Sequence, residues 1–206
     1  MDNKEYLLNN LIDLYHDDLL NVYPYGGQVY NVSNQYSDLD YIAVFNNPIH
    51  TDHNEFFQEN IKYDVSFYDK RSFEHMAQYN EIAAMECLSL SENAILLQKT
   101  PFELKVNLSR LRESISSKSS HSFVKARKKI RYGEYYIGRK SLWHSFRIIY
   151  FGIQLAKDNK IIDFTAANHL YEDIVLSNNN DEQYYKDKYV KLHNELMTEF
   201  RRLAPK

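Results

Sequence analysis

The sequence predicts an α+β protein: a small mixed β-sheet flanked by helices, followed by a helical C-terminal domain. Segments rich in β-branched and aromatic residues fall early, at Val22–Tyr25, Tyr41–Phe45 and Ile61–Tyr68. Beyond Lys70 the apolar residues recur at helical spacing instead. Thr100-Pro101 marks the boundary, because proline ends the preceding element and suits a fresh helix start, giving domains of residues 1–100 and 101–206.

In order, residues 3–20 carry Tyr6, Leu7, Leu11, Ile12, Leu14, Tyr15 and Leu19 at the spacing of one amphipathic helix. The strand Val22–Tyr25 leads into Gly26-Gly27, a polar and aromatic spacer, and the strand Tyr41–Phe45, which Asn46-Asn47-Pro48 ends by turn chemistry. The polar stretch His50–Asn60 reads as a loop or short helix, and Ile61–Tyr68 as a third strand. Arg71–Asn80, Glu81–Gln98 and Phe102–Leu111 read as helices, and Ser114–Ser120 as a short mobile linker. Helices over Phe123–Ile137, Lys140–Lys157, Thr165–Leu176 and Tyr184–Leu203 complete the chain, with turn-rich Ser177–Asp181 before the last. No internal repeat is visible.

Composition narrows the function classes. The 206 residues hold 25 Lys plus Arg against 28 Asp plus Glu, a net charge of −3, so attraction to nucleic acid would have to be local. The single cysteine, Cys87, excludes an intrachain disulfide, fits a reducing compartment, and reads as a small core residue among Ala83, Ala84, Met85 and Leu88. The start, MDNKEYLLNN, lacks the basic region and apolar run of a signal peptide, and the stretch Ile148–Ala156 is too short to span a bilayer. A soluble cytoplasmic protein with no membrane partner is expected.

The chemistry concentrates between Val22 and Phe45. Side chains alternate along a strand, so Asp38 and Asp40 project to one side while Leu39 takes the other. Two carboxylates so placed repel each other unless a cation sits with them, and oxygen-only ligands suit Mg²⁺. Gly26 and Gly27 permit the close backbone approach that phosphate binding requires. This pattern points to metal-assisted phosphoryl or nucleotidyl transfer. Asp64, on the third strand, is the expected third carboxylate. Asp69 competes for that role, but it lies on the opposite pleat at the strand end, where it would equally cap the following helix.

Charge is uneven further on. Lys118, Lys125, Arg127, Lys128, Lys129, Arg131, Arg139, Lys140 and Arg147 fall in a stretch whose only acid is Glu134, interleaved with Tyr132, Tyr135, Tyr136, Trp143 and Phe146. Such a region reads either as a solvated helix face with aromatics turned inward or as a surface for phosphates and bases. Lys140, His144 and Arg147 share one helix face and are the expected contacts to a nucleotide triphosphate, His144 as a phosphate donor or a neutral structural residue. Facing the three aspartates across a cleft, they would form the site's opposite wall.

Tyr25-Gly26-Gly27, the spacer Gln28–Ser37, and Ser37-Asp38-Leu39-Asp40-Tyr41 together resemble the signature of the DNA polymerase β-like nucleotidyltransferase superfamily. The resemblance implies Asp38 and Asp40 as Mg²⁺ (or Mn²⁺) ligands, Asp64 as the carboxylate that helps activate the acceptor, and Gly27 against the triphosphate. It departs at Val29-Tyr30-Asn31, where many members carry Ala-Arg-Gly. A narrower likeness, through Tyr68–Phe73, Glu86 and Lys140…His144…Arg147, is to the predicted nucleotidyltransferases of bacteria and phages, including those linked to RNA-repair operons. Glu86 reads alternatively as a helix surface charge.

The implied reaction is attack of an acceptor hydroxyl on the α-phosphorus of a nucleoside triphosphate such as ATP, with release of pyrophosphate. The acceptor is an RNA 3′ end, a protein hydroxyl or a small molecule. Two other readings compete. Arg139 and His144 resemble the Arg–His motif of helical HEPN-group ribonucleases, and a non-catalytic nucleotide or RNA sensor would keep the fold without the transfer.

Overall fold

The computed structural model describes residues 3–34 and 37–206, so Gln35 and Tyr36 of the spacer lie outside the described residues. The architecture is α+β, with a five-stranded mixed sheet, flanking helices and a helical C-terminal region. The chain divides into two compact units, one running to Gln78 and including Ala83–Leu104, the other made of Tyr79–Ile82 with Lys105–Lys206.

The first unit opens with α1 (Asn3–Tyr15), shorter than its apolar pattern suggests. His16 takes a left-handed conformation (φ 47°) that breaks the helix, and Leu19 and Leu20 join the sheet instead. The strands are β1 (Leu19–Tyr25), β2 (Leu39–Phe45), β3 (His53–Gln58), β4 (Ile61–Asp69) and β5 (Leu97–Gln98). Their order is β3-β4-β2-β1-β5, with β2 and β4 parallel and the other neighbours antiparallel. A four-residue helix, α2 (Gly27–Tyr30), follows β1, and α3 (Lys70–Gln78) and α4 (Ile82–Ser89) follow β4.

Both faces of the sheet are covered, which is why β2 reads as a nearly continuous apolar run. Val22, Tyr41, Ala43, Phe45, Val65 and Phe67 pack with Leu7 and Leu11 of α1. On the other face Tyr23, Ile42 and Val44 pack with Phe73, Met76 and Ala77 of α3 and with Ala84 and Cys87 of α4. Cys87 is fully enclosed, and burial pushes its thiol well above the ordinary range.

Two expectations for this unit fail. The segment His50–Asn60 contains strand β3, joined to β4 by a tight turn in which Gln58 faces Ile61. The helix expected over Glu81–Gln98 stops at Ser89, and the chain returns as β5. Buried Asn21 fixes that return, accepting from Thr100 N (3.0 Å) and donating to Thr100 O (2.7 Å).

The second unit is built on α5 (Leu108–Arg131), α6 (Tyr135–Asp158), the short α7 (Tyr171–Ile174) and α8 (Glu182–Leu203). The helix expected over Phe102–Leu111 and the linker expected over Ser114–Ser120 are replaced by α5, a single helix that Asn107 caps through Arg110 N (3.1 Å). The serines are small packing residues. Ile115 and Ser119 are buried one turn apart, and Ser119 Oγ donates to Ser145 O (2.9 Å) and pairs with His193 Nε2 (2.9 Å). Gly138 lets α6 press against α5: a Cβ there would fall 2.5 Å from Ile130 and 2.9 Å from Ala126 O. Among the described residues no helix is long and apolar enough to cross a membrane.

His193 is buried between Phe123 and Phe146, and desolvation with the nearby Arg201 charge lowers its pKa from the ordinary 6.5 to about 4. Between those values the unfolded chain holds the extra proton, so this residue's stabilisation is complete above pH 6.5 and is lost as pH falls toward 4. His193→Gln, which cannot titrate, is expected to flatten the acid loss of the urea midpoint relative to wild type. Equal slopes in the two proteins would refute that account.

Candidate active site

The sheet register sets the site. Parallel pairing puts Asp40 of β2 directly beside Asp64 of β4, and antiparallel pairing puts Glu55 of β3 beside Asp64 and Tyr25 of β1 beside Asp40. A row of three carboxylates therefore crosses three strands on the face that Ile42 and Tyr23 share with α3 and α4. Asp38 lies just before β2 and close to the same group. The Lys62 ammonium is 2.7 Å from Glu55, 3.6 Å from Asp38 and 4.0 Å from Asp64.

These charges respond to one another. The hydrogen bond to Lys62 holds the Glu55 carboxyl below its usual range, and Glu55 together with Asp38 and Asp64 raises the Lys62 ammonium. All of these side chains are partly exposed, so the pairs contribute little to folding. Holding like charges in register this way is not explained by stability.

His53 completes the group, with Nδ1 3.0 Å from Asp64 Oδ1. One ligand atom each from His53, Glu55 and Asp64 lie within 4.8 Å of one another. None of His53, Glu55 and Lys62 is prominent in the sequence as a site residue. The alternation in His53–Gln58 is half exposed on both faces, and its two-residue turn, Glu59-Asn60, holds Glu59 at φ 53° and has no glycine to signal it. Asp69 is occupied elsewhere: it caps α3, accepting from Ser72 N (3.0 Å) and Ser72 Oγ (2.7 Å), and these bonds lower its pKa.

Gly26 is held at φ 71°, ψ −152°, and a Cβ there would fall 2.0 Å from Asp40 Oδ2. The Asp40 carboxylate thus lies against the bare backbone of the glycine turn, while Gln28 Nε2 donates to Asp40 O (2.6 Å). After the turn, α2 is anchored by buried Tyr30, whose hydroxyl donates to buried Glu86 of α4. Glu86 is therefore an internal anchor of the turn, not a surface charge. Ser37 Oγ accepts from Asn34 N (3.0 Å), closing the described end of the spacer.

In the helical unit, α6 carries Lys140, exposed, and Arg147, buried with its Nε donating to His144 Nδ1 (3.1 Å) and its guanidinium over the Phe151 ring. Burial, with Arg147, Lys140 and Lys125 nearby, holds His144 well below its ordinary pKa. It is a neutral acceptor at Nδ1, as the structural alternative for this residue requires. Arg139 points elsewhere, toward Asn179 O (3.3 Å) and Asn180 Oδ1 (3.4 Å), while His144 is bonded to Arg147. Of the interleaved aromatics, Trp143 and Phe146 are core residues, and Tyr132, Tyr135 and Tyr136 are exposed.

No protein-family model matches the chain. No curated protein matches it either. Among solved structures, a nucleotidyltransferase-like protein from Exiguobacterium sibiricum 255-15 superposes with TM-score 0.39 at 11% identity, over 98% of this chain and 74% of that one.

Gly26→Ala is expected to cost about 1–3 kcal/mol from backbone strain alone, besides displacing the Asp40 carboxylate. Gly27→Ala meets only the Ser33 hydroxyl, 2.7 Å away on a side chain free to rotate, and should be nearly neutral. Urea denaturation of both variants checks this, and equal losses would contradict it.

Proposed function

We propose that this chain is a divalent-metal-dependent nucleotidyltransferase. It moves a nucleoside monophosphate from a nucleoside triphosphate to an acceptor hydroxyl and releases pyrophosphate. The observation that carries the reading is the register of Asp40 beside Asp64, with Gly26 giving bare backbone against the Asp40 carboxylate. The donor set fits a hard cation: Asp38, Asp40 and Asp64 offer carboxylate oxygens, and the nearby Lys62 ammonium marks the place as one where positive charge is favourable. These three aspartates would hold Mg²⁺ or Mn²⁺, which when bound supplies charge neutralisation at the phosphates and makes the acceptor hydroxyl more acidic.

The remaining work belongs to the chain. Gly26 and Gly27 let phosphate oxygens approach the backbone, with Ser37 at the other end of the spacer. Asp64 takes the proton from the acceptor hydroxyl as the hydroxyl attacks the α-phosphorus and the bond to pyrophosphate breaks. His53, bonded to the same carboxylate, keeps it oriented. Lys140, exposed on α6, is a further proposed triphosphate contact on its charge, whereas Arg147 is buried and engaged by His144 and the Phe151 ring.

Asp38→Asn and Asp64→Asn should abolish pyrophosphate release from γ-labelled triphosphates offered with Mg²⁺ or Mn²⁺ and RNA, with circular dichroism unchanged. Near-normal release by either variant would refute the assignment. Lys140→Glu should raise the KM for the triphosphate more than it lowers kcat, and an unchanged KM would remove Lys140 from the site.

A further inference from the structure

The outward face of α5 forms a second feature, independent of the carboxylates. Lys118, His121, Lys125, Lys128 and Tyr132 follow one another at steps of three and four, which places them in a single stripe on the helix. All five are exposed. The stripe is about 21 Å long at the ordinary helical rise. No acid occurs in the sequence between Glu113 and Glu134.

The structure sorts the basic residues of this region into two sets. Arg127 and Arg131 pair with Glu182 at 2.6 and 2.8 Å, and Lys129 pairs with Glu134 at 2.7 Å. None of the described ion pairs engages Lys118, Lys125 or Lys128. At the turn into α6 the row of charge ends in open rings: Tyr132 is 68% and Tyr136 56% exposed, with Tyr135 beside them. Unpaired cations in line carry a repulsive cost that a polyanion relieves, and tyrosines on a surface offer apolar faces with no packing role.

We infer that this ridge binds single-stranded nucleic acid, with Lys118, Lys125 and Lys128 neutralising successive phosphates and Tyr132 and Tyr136 stacking on bases. The charge complementarity selects a polyanion, and rings gathered at one end of the row select one that carries planar bases. The inference concerns the helical unit and does not rest on the transfer reading.

The test is fluorescence anisotropy of a labelled single-stranded oligouridylate with the full chain, without triphosphate or divalent metal. Binding should weaken with salt, and Lys128→Ala should lower the log–log salt slope by about 0.7, one single-strand phosphate. Tyr132→Ala combined with Tyr136→Ala should weaken binding by about tenfold or more with the slope unchanged, whereas Tyr132→Phe should bind as wild type. These exposed substitutions should leave the thermal midpoint in place, which is measured alongside. The inference is overturned if the oligonucleotide binds no better to wild type than to a Lys118→Glu, Lys125→Glu, Lys128→Glu variant. Binding to phosphatidylserine vesicles but not to the oligonucleotide would also overturn it, as would tyrosine variants that dissolve a dimer and leave oligonucleotide affinity intact. Because no nucleotide turnover is read, this outcome is separate from that of the aspartate variants.

Discussion

The candidate site depends on the parallel pairing of β2 with β4. That pairing joins two interior strands of the sheet, and their side chains are locked by α1 on one face and by α3 and α4 on the other. A slip of one residue would move Tyr41, Ala43, Phe45, Val65 and Phe67 out of their core, so the register is fixed by hydrophobic packing. Asp40 and Asp64 are carried into adjacency by a constraint that has nothing to do with their own charge. The cost of placing carboxylates together is met by the much larger burial around them, and the Lys62 ammonium relieves part of it.

Around that pair, the neighbouring elements restrict what can move. The glycine turn touches Asp40 through backbone, so the carboxylate has a fixed floor, and the Tyr30–Glu86 bond inside the protein ties the segment after the turn to α4. At positions 29–31 the chain departs from the sequence it resembles, with Tyr30 filling a buried position and Asn31 ending α2 in a left-handed conformation. Grip on phosphates would then come from the glycine backbone, since Tyr30 is committed to the core. Edge strand β3 turns Phe56 into the core and presents the partly exposed His53 and Glu55 beside Asp64, where they are free of tight packing.

The sequence carried the main outline of this arrangement. Asp38, Asp40 and Asp64 could be picked out because each sits in or beside a strongly apolar strand, where a charge is conspicuous, and Gly26 because it precedes the carboxylates. Strand β3 was hidden by its half-exposed composition and a hairpin turn without glycine. Strand β5 was hidden because its pairing depends on Asn21, a partner far away in sequence. The serine-rich run in α5 looked like a linker because its helix is specified by tertiary partners, Ser145 and His193, and not by its own propensity. Glu86 gave no sign of burial, since nothing near it in sequence identifies Tyr30 as its partner.

The central claim is that Asp40 and Asp64 form one cation-binding unit because the sheet register sets them side by side. Titration with Mn²⁺, followed by the loss of the free-ion paramagnetic resonance signal in the presence of a non-hydrolysable triphosphate, tests it most directly. Wild type should bind, and Asp40→Asn and Asp64→Asn should each lose that binding while remaining folded. Asp69→Asn, altered on the helix cap, should bind as wild type. Mn²⁺ affinity that survives Asp40→Asn and Asp64→Asn together would contradict the account.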